Sequence, residues 1–582
     1  MGSAKGELVV LTSIKQSSDH NIVRIDREET AKAEKVLLIA GGHNCGLIVN
    51  KYEENASYDD VTEAEADVSL SFSVSLTDKE KKKVQEKRSL FFKLRKGVDL
   101  DVGRAVVHKF FRSLLSNLPG DYVSFLKRVM TMMLKDFNEI ASLTFDLKIV
   151  DETEQVIIPD ATQYDSGSEL EDLTCGHVQD VLEHAFPNGL DLPTLTNNLR
   201  CTEEEVLGFL KELEASGVAR KVDDEWIRVD TKRVDESVEA HRHASTSGAS
   251  GSYGSATGDQ QPTVAIITCL FVEKQAIDSL IEESSTIHKY KSGGDSNVYT
   301  LGRIGEHRVV ATKLALIGDS REAITSAGSI TTRLLGNFQN IEHVFIVGVG
   351  GAVPHFTDAS LHARLGDVIV SASHPHQYVY AHDLFINKLN DQVTGFQCHN
   401  WAAKDPAIEQ IVQEGGEDLR EKWNAATEEA VQRLSELAAD VEWKAPPEST
   451  DVLAMPVSKG NVVVMPHPNP ERQGPEIHLG TVGAMSSMKK YEGITGGGDD
   501  ESSINQIRES FAESFKIRCM DAGFDSVVGA VVGSCVKSWA LVRGISDYHY
   551  GQSRAGKVWQ AHAAARAAGM TRCIIEKLPN SA

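Results

Sequence analysis

From Pro262 to its C-terminus this chain alternates short apolar runs, glycine-containing loops and stretches of helical periodicity, and that alternation leaves few folds open to it. TVAIITCLF reads as a buried strand and VEKQAIDSLIEE as a helix; NVYTLGRIG and HRVVATKLALI form a hairpin-like pair, followed by the helix SREAITSAGSITTRLL. HVFIVGVGGAVP is a strand running into a glycine-rich turn, DVIVSAS another strand, and SWALVRGISDY a late strand that ends in an acid. Strands separated by helices need crossover connections. Residues 262–582 are therefore expected to form an α/β domain with a three-layer, mixed, mainly parallel twisted sheet and flanking helices. Ligands of such sheets sit outside the carboxyl ends of the strands.

The chain has 582 residues, too many for one core, so several domains are expected. Gly and Ser displace apolar residues in HRHASTSGASGSYGSATGDQQP, and residues 233–261 read as a flexible linker. The polar, acidic stretch Asp160 to Asp172 is a second break. Residues 1–160 read as a mixed α+β region: ELVVLTS and KVLLIAGG resemble strands, and VVHKFFRSLL opens a part that is mainly helical from residue 100. DKEKKKVQEKRSLFFKLRKG is the one basic cluster, expected as a solvated helix face with Phe91 and Phe92 turned to the core; a phosphate contact is the alternative.

With 41% hydrophobic and 25% charged residues the chain is ordinary for a folded protein, and its net charge of -24 repels polyanions at long range. It lacks an apolar stretch of about 18 residues and opens without a secretory signal, so the expectation is a cytoplasmic or nuclear protein with no membrane partner. The eight cysteines are scattered, without a C-x-x-C pair, and read as reduced core residues. His374, His376, Cys398 and His399 fit no usual zinc spacing, and neither metal nor cofactor is expected.

Residues 172–232 read as helix, turn, helix, helix and hairpin, with Thr202 and Glu205 as a capping box and Gly217 as the stop of the third helix, and they resemble a winged-helix domain. The third helix carries Glu203, Glu204, Glu205, Glu212 and Glu214 against Lys211 alone, which repels a DNA backbone. A protein partner is therefore favoured over DNA, with Arg220, Lys221 and Arg228 near the wing as the residues for a phosphate contact.

AIITCLFVEKQAI, VGVGGAVP with LGDVIVS, HLGTVGAMSSM, FDSVVGAV and LVRGISDY follow one another in the order of the nucleoside phosphorylase and nucleosidase superfamily, which the C-terminal half resembles. Trp559 and Gln560 fill the place of a Trp-Gln pair in the related domains of larger multidomain proteins. The resemblance implies a purine nucleoside as ligand and a homo-oligomer. It implies Asp547 as the acid that donates to the leaving base and Glu273 as the acid that orients water. Asp547 as a turn cap and Glu273 as a helix N-terminal charge are the plain alternatives. Asp525 stands at the ribose-clamp glutamate and Phe524 beside it; Gly348, Gly350 and Gly351 form the ligand loop; Phe396, Met488 and Ser486 are candidates for the base pocket. The phosphate arginines of the phosphorylases are missing, with Arg321 as the substitute to test, so hydrolysis is favoured over phosphorolysis. Ala484-Met485-Ser486 replaces the superfamily's polar trio near the base, which leaves a catalytically inactive nucleoside sensor as an alternative, and a winged-helix DNA-binding regulator as another.

Overall fold

The computed structural model describes residues 7–17, 19–29, 38–42, 47–50, 66–77, 83–116, 118–119, 122–150, 173–229, 261–289, 297–314, 321–373, 375–387, 392–457, 461–486, 500–534, 536–548 and 557–579. The Gly/Ser linker, apart from its last residue, and the acidic break at 160–172 lie outside them.

The N-terminal region consists of β1 (Glu7–Gln16), β2 (His20–Glu29), β3 (Leu38–Gly42), β4 (Leu47–Asn50), β5 (Val68–Thr77), β6 (Lys83–Leu94), α1 (Leu100–Leu115), α2 (Tyr122–Lys135) and β7 (Ile140–Ile149). Helices α1 and α2 lie in the part read as mainly helical from residue 100, but that part ends in β7 and strands dominate the region. The basic cluster lies largely in β6, not on a helix. With a side-chain period of two, Phe92 enters the core at 0% exposure while Phe91 faces the other side of the sheet. Helix α1 covers the sheet with His108, Phe110, Phe111 and Leu114; Phe110 meets Phe92 edge-on at 5.4 Å and Phe111 meets Phe72 at 5.1 Å.

The winged-helix unit follows as α3 (Cys175–Ala185), β8 (Leu190–Asp191), α4 (Leu192–Leu199), α5 (Glu203–Ala215), β9 (Ala219–Val222) and β10 (Glu225–Arg228). The capping box forms: Glu205 N–H donates to Thr202 Oγ1 at 3.4 Å and Thr202 N–H to Glu205 Oε2 at 3.1 Å. Gly217 at φ +75° ends α5, a conformation that costs glycine little. Val178, Leu182, Leu195, Val206, Leu210 and Trp226 close a small core of its own.

The C-terminal part contains β11 (Val264–Thr268), α6 (Phe271–Asp278), β12 (Glu282–Lys289), β13 (Asn297–Ile304), β14 (His307–Lys313), α7 (Arg321–Asn337), β15 (His343–Ala352), β16 (Val368–Ser371), β17 (Tyr378–Asn387) and β18 (Gln392–Trp401). It continues through α8 (Ala407–Leu437), β19 (Leu453–Val457), β20 (Asn461–Met465), β21 (Ile477–Met485), α9 (Asp500–Phe515), β22 (Ile517–Met520), α10 (Asp525–Gly533), β23 (Ser538–Asp547) and α11 (Lys557–Ile575). Among the described residues its sheet runs β12-β13-β14-β11-β15-β23-β16-β21-β17-β18, with β22 bridging β15 and β21. Strands β14, β11, β15 and β23 are mutually parallel, but β16 runs antiparallel to β23, and β12, β13 and β18 add antiparallel margins. The sheet is mixed, its parallel pairing concentrated in the centre. Strands β11 and β23 are buried along their whole length, which is why apolar residues do not alternate with exposed polar ones along them.

Two departures concern how the parts join. The hairpin β19–β20, inside the expected C-terminal domain, leaves it and pairs with β5 (Val464 beside Ser73), completing a nine-stranded N-terminal sheet among the described residues. The apolar core is also continuous from that sheet into the C-terminal part: Phe111 meets Phe356 edge-on at 5.3 Å, and the His108 and His355 rings stack at 3.8 Å. No helix among the described residues is long and apolar enough to cross a membrane.

Candidate active site

Strand β11 delivers the chain to α6, and the third helical residue, Glu273, folds its carboxylate back over the helix start. Its Oε2 accepts N–H groups of Cys269 at 2.8 Å and Leu270 at 2.7 Å. Its Oε1 reaches across to β15 and accepts the Val349 N–H at 2.8 Å. The side chain is therefore a helix N-terminal charge and also a cross-link between two central strands. An ionised carboxylate offers roughly four acceptor positions; these contacts use three and leave one. Burial pushes the Glu273 pKa up, against the opposing pull of the Arg543 charge and the three N–H donors.

Gly348, Gly350 and Gly351 lie within strand β15, not in a turn beyond it. Their role is local room. A Cβ on Gly348 would meet Glu273 Oε1 at 2.4 Å, and one on Gly350 would meet Cys519 Sγ at 2.5 Å. Strand β23 pairs alongside, Gly348 opposite Arg543 and Gly351 opposite Asp547. Asp547 ends that strand, 5% exposed, with the Ser546 hydroxyl donating to its Oδ2 at 3.1 Å. Glu273 and Asp547 thus border one short stretch of β15 at the carboxyl end of the parallel strands.

Beneath them lies an ion pair that the sequence reading did not single out. Arg543 donates to Asp521 Oδ2 through Nε at 3.0 Å and Nη2 at 2.8 Å, with both side chains 0% exposed, and through Nη1 to the Ile346 carbonyl at 3.3 Å. The other Asp521 oxygen accepts the Tyr378 hydroxyl at 3.1 Å and the Gly523 N–H at 3.0 Å. Burial disfavours the Arg543 charge, but Asp521 and Glu273 outweigh it and hold its pKa above the ordinary range. The signal was available in SWALVRGISD: an arginine following the apolar run Trp539–Val542 must find a partner.

Asp521 precedes, by four residues, the expected ribose-clamp acid, Asp525. The latter opens α10, half-buried, its pKa raised by burial, with His399 and Asp521 within electrostatic reach. Phe524 is buried under the Arg543 guanidinium at 4.5 Å from its ring centre, and its N–H donates to Tyr378 Oη at 2.7 Å. Phe396 packs on Phe511 and Phe515 of α9, at 5.3 and 6.4 Å, as part of an apolar cluster. Ser486 donates to the His382 carbonyl at 3.2 Å. Met488 lies outside the described residues, as does the side chain of Arg321, which opens α7.

Of the three wing residues expected to touch phosphate, one is spent elsewhere. Arg228, 4% exposed, donates to Glu183, to the Val218 and Val229 carbonyls, and at 2.6 Å to Asp440 of the α/β part.

Residues 164–230 match the family described as winged helix-turn-helix domain. A nucleotide-binding leucine-rich repeat (NLR)-like protein of Hyaloscypha variabilis is 26% identical over 299 residues, 48% of this chain and 26% of that protein; the chain spans about a quarter of the length of this curated relative. Among solved structures, the chain is similar to the 5'-methylthioadenosine/S-adenosylhomocysteine nucleosidase of Neisseria meningitidis in complex with methylthio-immucillin-A (13% identity, TM-score 0.32, covering 55% of this chain and 100% of that one). It is also similar to the futalosine hydrolase of Helicobacter pylori (13% identity, TM-score 0.31, 55% of this chain and 100% of that one). A third likeness is a putative 5'-methylthioadenosine/S-adenosylhomocysteine nucleosidase of Borrelia burgdorferi bound to adenine (12% identity, TM-score 0.35, 54% and 100%). The nucleosidase neighbours lie over about half of the chain, and a winged helix-turn-helix domain lies at residues 164–230.

Proposed function

We propose that the α/β part binds a purine nucleoside and cleaves its N-glycosidic bond with water. The observation that carries this reading is the placement of two buried carboxyl groups, Glu273 and Asp547, on either side of the Gly348–Gly351 stretch of β15. Cleavage passes through an oxocarbenium-like sugar, so one group must give a proton or hydrogen bond to the departing base while another directs a nucleophile to the opposite face. Asp547 takes the first role. Glu273 takes the second, its remaining acceptor position receiving a proton of the attacking water. Because burial raises the Glu273 pKa, the ionised form that accepts this proton is lost at a higher pH than for an ordinary glutamate, and turnover falls on that acidic side.

Arg543 is fully committed to Asp521 and a carbonyl, which supports water over phosphate as nucleophile, since a phosphate dianion needs cations free to hold it. A second reading, a nucleoside sensor without turnover, is favoured by Ser486, the one hydroxyl of the Ala484-Met485-Ser486 segment, which donates to the His382 carbonyl.

Incubation with adenosine, inosine and methylthioadenosine, with and without phosphate, separates these readings. Base release that does not require phosphate is expected, and Asp547→Asn should lower it by about 10²- to 10⁴-fold. A folded protein that releases no base from any of the three removes the hydrolase reading; thermal stabilisation by a nucleoside without product would leave the sensor.

A further inference from the structure

The helix that carries Glu273 is gripped by the winged helix. Phe271, the first residue of α6 and 2% exposed, lies between two winged-helix side chains. The Phe186 ring meets it edge-on at 5.1 Å, and the Arg228 guanidinium lies 4.6 Å from its centre. Arg228 is itself fixed from both sides, by Glu183 of α3 at 3.0 Å and by Asp440, just beyond α8, at 2.6 Å. The neighbouring strand adds a second tether. Lys313, at the end of β14 and opposite Thr268 in the register, turns its ammonium to the Phe186 carbonyl at 3.1 Å, the Leu314 carbonyl at 3.0 Å and the His184 carbonyl at 3.4 Å. Lys274, next to Glu273, lies over the Phe186 ring at 5.6 Å. Burial pushes the Lys313 pKa down to about 8, against the pull of Cys269, Glu273 and Glu183, so this tether is a desolvated cation held chiefly by carbonyl dipoles.

These contacts converge on the first turn of α6 and on the Cys269-Leu270 N–H groups that seat the Glu273 carboxylate. We infer that Arg228 is a positioning residue for Glu273: the winged helix, docked in cis on the α/β part, holds the first turn of α6 so that the carboxylate bridges to Val349. The winged helix is thereby part of the site's scaffold, and a partner that detaches it lowers turnover. This inference rests on the nucleosidase reading for its consequence in catalysis, but not for its consequence in the order of α6.

The test compares the full chain with Arg228→Gln and with Asp440→Asn. The second variant removes the anchor from the α/β side and leaves the internal contacts of the winged helix in place. Two quantities are read: hydrogen exchange of the amides of residues 271–278, and kcat and KM for the nucleoside that the wild-type chain cleaves. Expected in both variants is exchange faster by about tenfold, the size of effect that weakening a partly buried charge pair and the cation–ring contact it holds in place produces, with kcat lowered and KM little changed. Unchanged exchange in Asp440→Asn overturns the inference, as does faster exchange with unchanged kcat in an active enzyme. If the wild-type chain releases no base, the hydrolase reading fails on its own and the exchange of α6 still decides whether the winged helix orders it.

Discussion

Arg543 and Asp521 form the energetic centre of the candidate site, because two full charges lie there with no exposed surface. Such a pair contributes little net stability over an apolar one, but removing one partner strands the other charge in a desolvated place. Arg543→Met should accordingly destabilise the chain by about 3 to 5 kcal/mol, and Arg543→Met combined with Asp521→Leu should recover much of that loss. Urea denaturation of the two variants checks it; a double variant no more stable than the single one would show that the charge pair is not what the site depends on. The pair also explains the local geometry. Asp521 is fixed by Tyr378 and Gly523, Tyr378 in turn receives the Phe524 N–H, and Phe524 lies under Arg543, so the start of α10 is tied to β17 and β23.

At the scale of elements, α11 lies close against β23 at Gly544. A Cβ on Gly544 would stand 1.9 Å from the Ala563 carbonyl oxygen, a backbone atom that cannot rotate away. The alanine-rich face of α11, with Ala561, Ala564, Ala565 and Ala568 buried, keeps that approach open. Helix α8, which has non-helical backbone at Gly416 (φ +51°), closes over the other side; the Trp423 indole donates to the Arg566 carbonyl at 2.8 Å and the Arg566 guanidinium lies 3.6 Å from its ring centre. Gly544→Ala should thus cost about 3 kcal/mol, at the upper end of overpacking. Gly529→Ala, on α10 with open space at its Cβ, should instead gain about 0.5 to 1 kcal/mol from helix propensity. Equal denaturation midpoints for the two variants would contradict this account of the interface.

Across the whole molecule, the N-terminal sheet and the α/β part meet through a chain of histidines. His108 of α1 stacks on His355, the His355 backbone N–H donates to His362 Nδ1 at 3.2 Å, and His362 Nε2 lies 3.1 Å from His467 Nδ1. Burial lowers the pKa of each, His108 to about 2 and His355 to about 4, with neighbouring histidines and Arg112 adding to the shift of His108. The ordinary histidine value is 6.5. As pH falls below it the unfolded chain takes up a proton that folded His108 refuses. Its contribution is whole above pH 6.5 and drains away toward the folded value; at pH 5 the loss is about 2 kcal/mol for His108 alone. The melting temperature should therefore fall between pH 7.5 and pH 5, and less steeply in His108→Gln. Parallel slopes in the two proteins would refute the assignment.

Much of this protein followed from local pattern. The apolar runs that became β11, β15 and β23, the capping box of Thr202 and Glu205, the stop at Gly217 and the two acids at strand and helix ends were visible in the sequence, because each depends on residues within a few positions of one another. The phenylalanines of β6 were misplaced because a charged, lysine-rich run fits a solvated helix as well as an exposed sheet face, and only pairing with β5 and β7 decides between them. Four features came from tertiary structure alone: the departure of β19–β20 to the other sheet, the Arg543–Asp521 pair, the service of the β15 glycines as room for Glu273, and the hold of Arg228 on Phe271. Each joins segments distant along the chain. Periodicity and caps report short-range preferences, whereas the partner of a buried charge is chosen by which strands the folded core brings side by side.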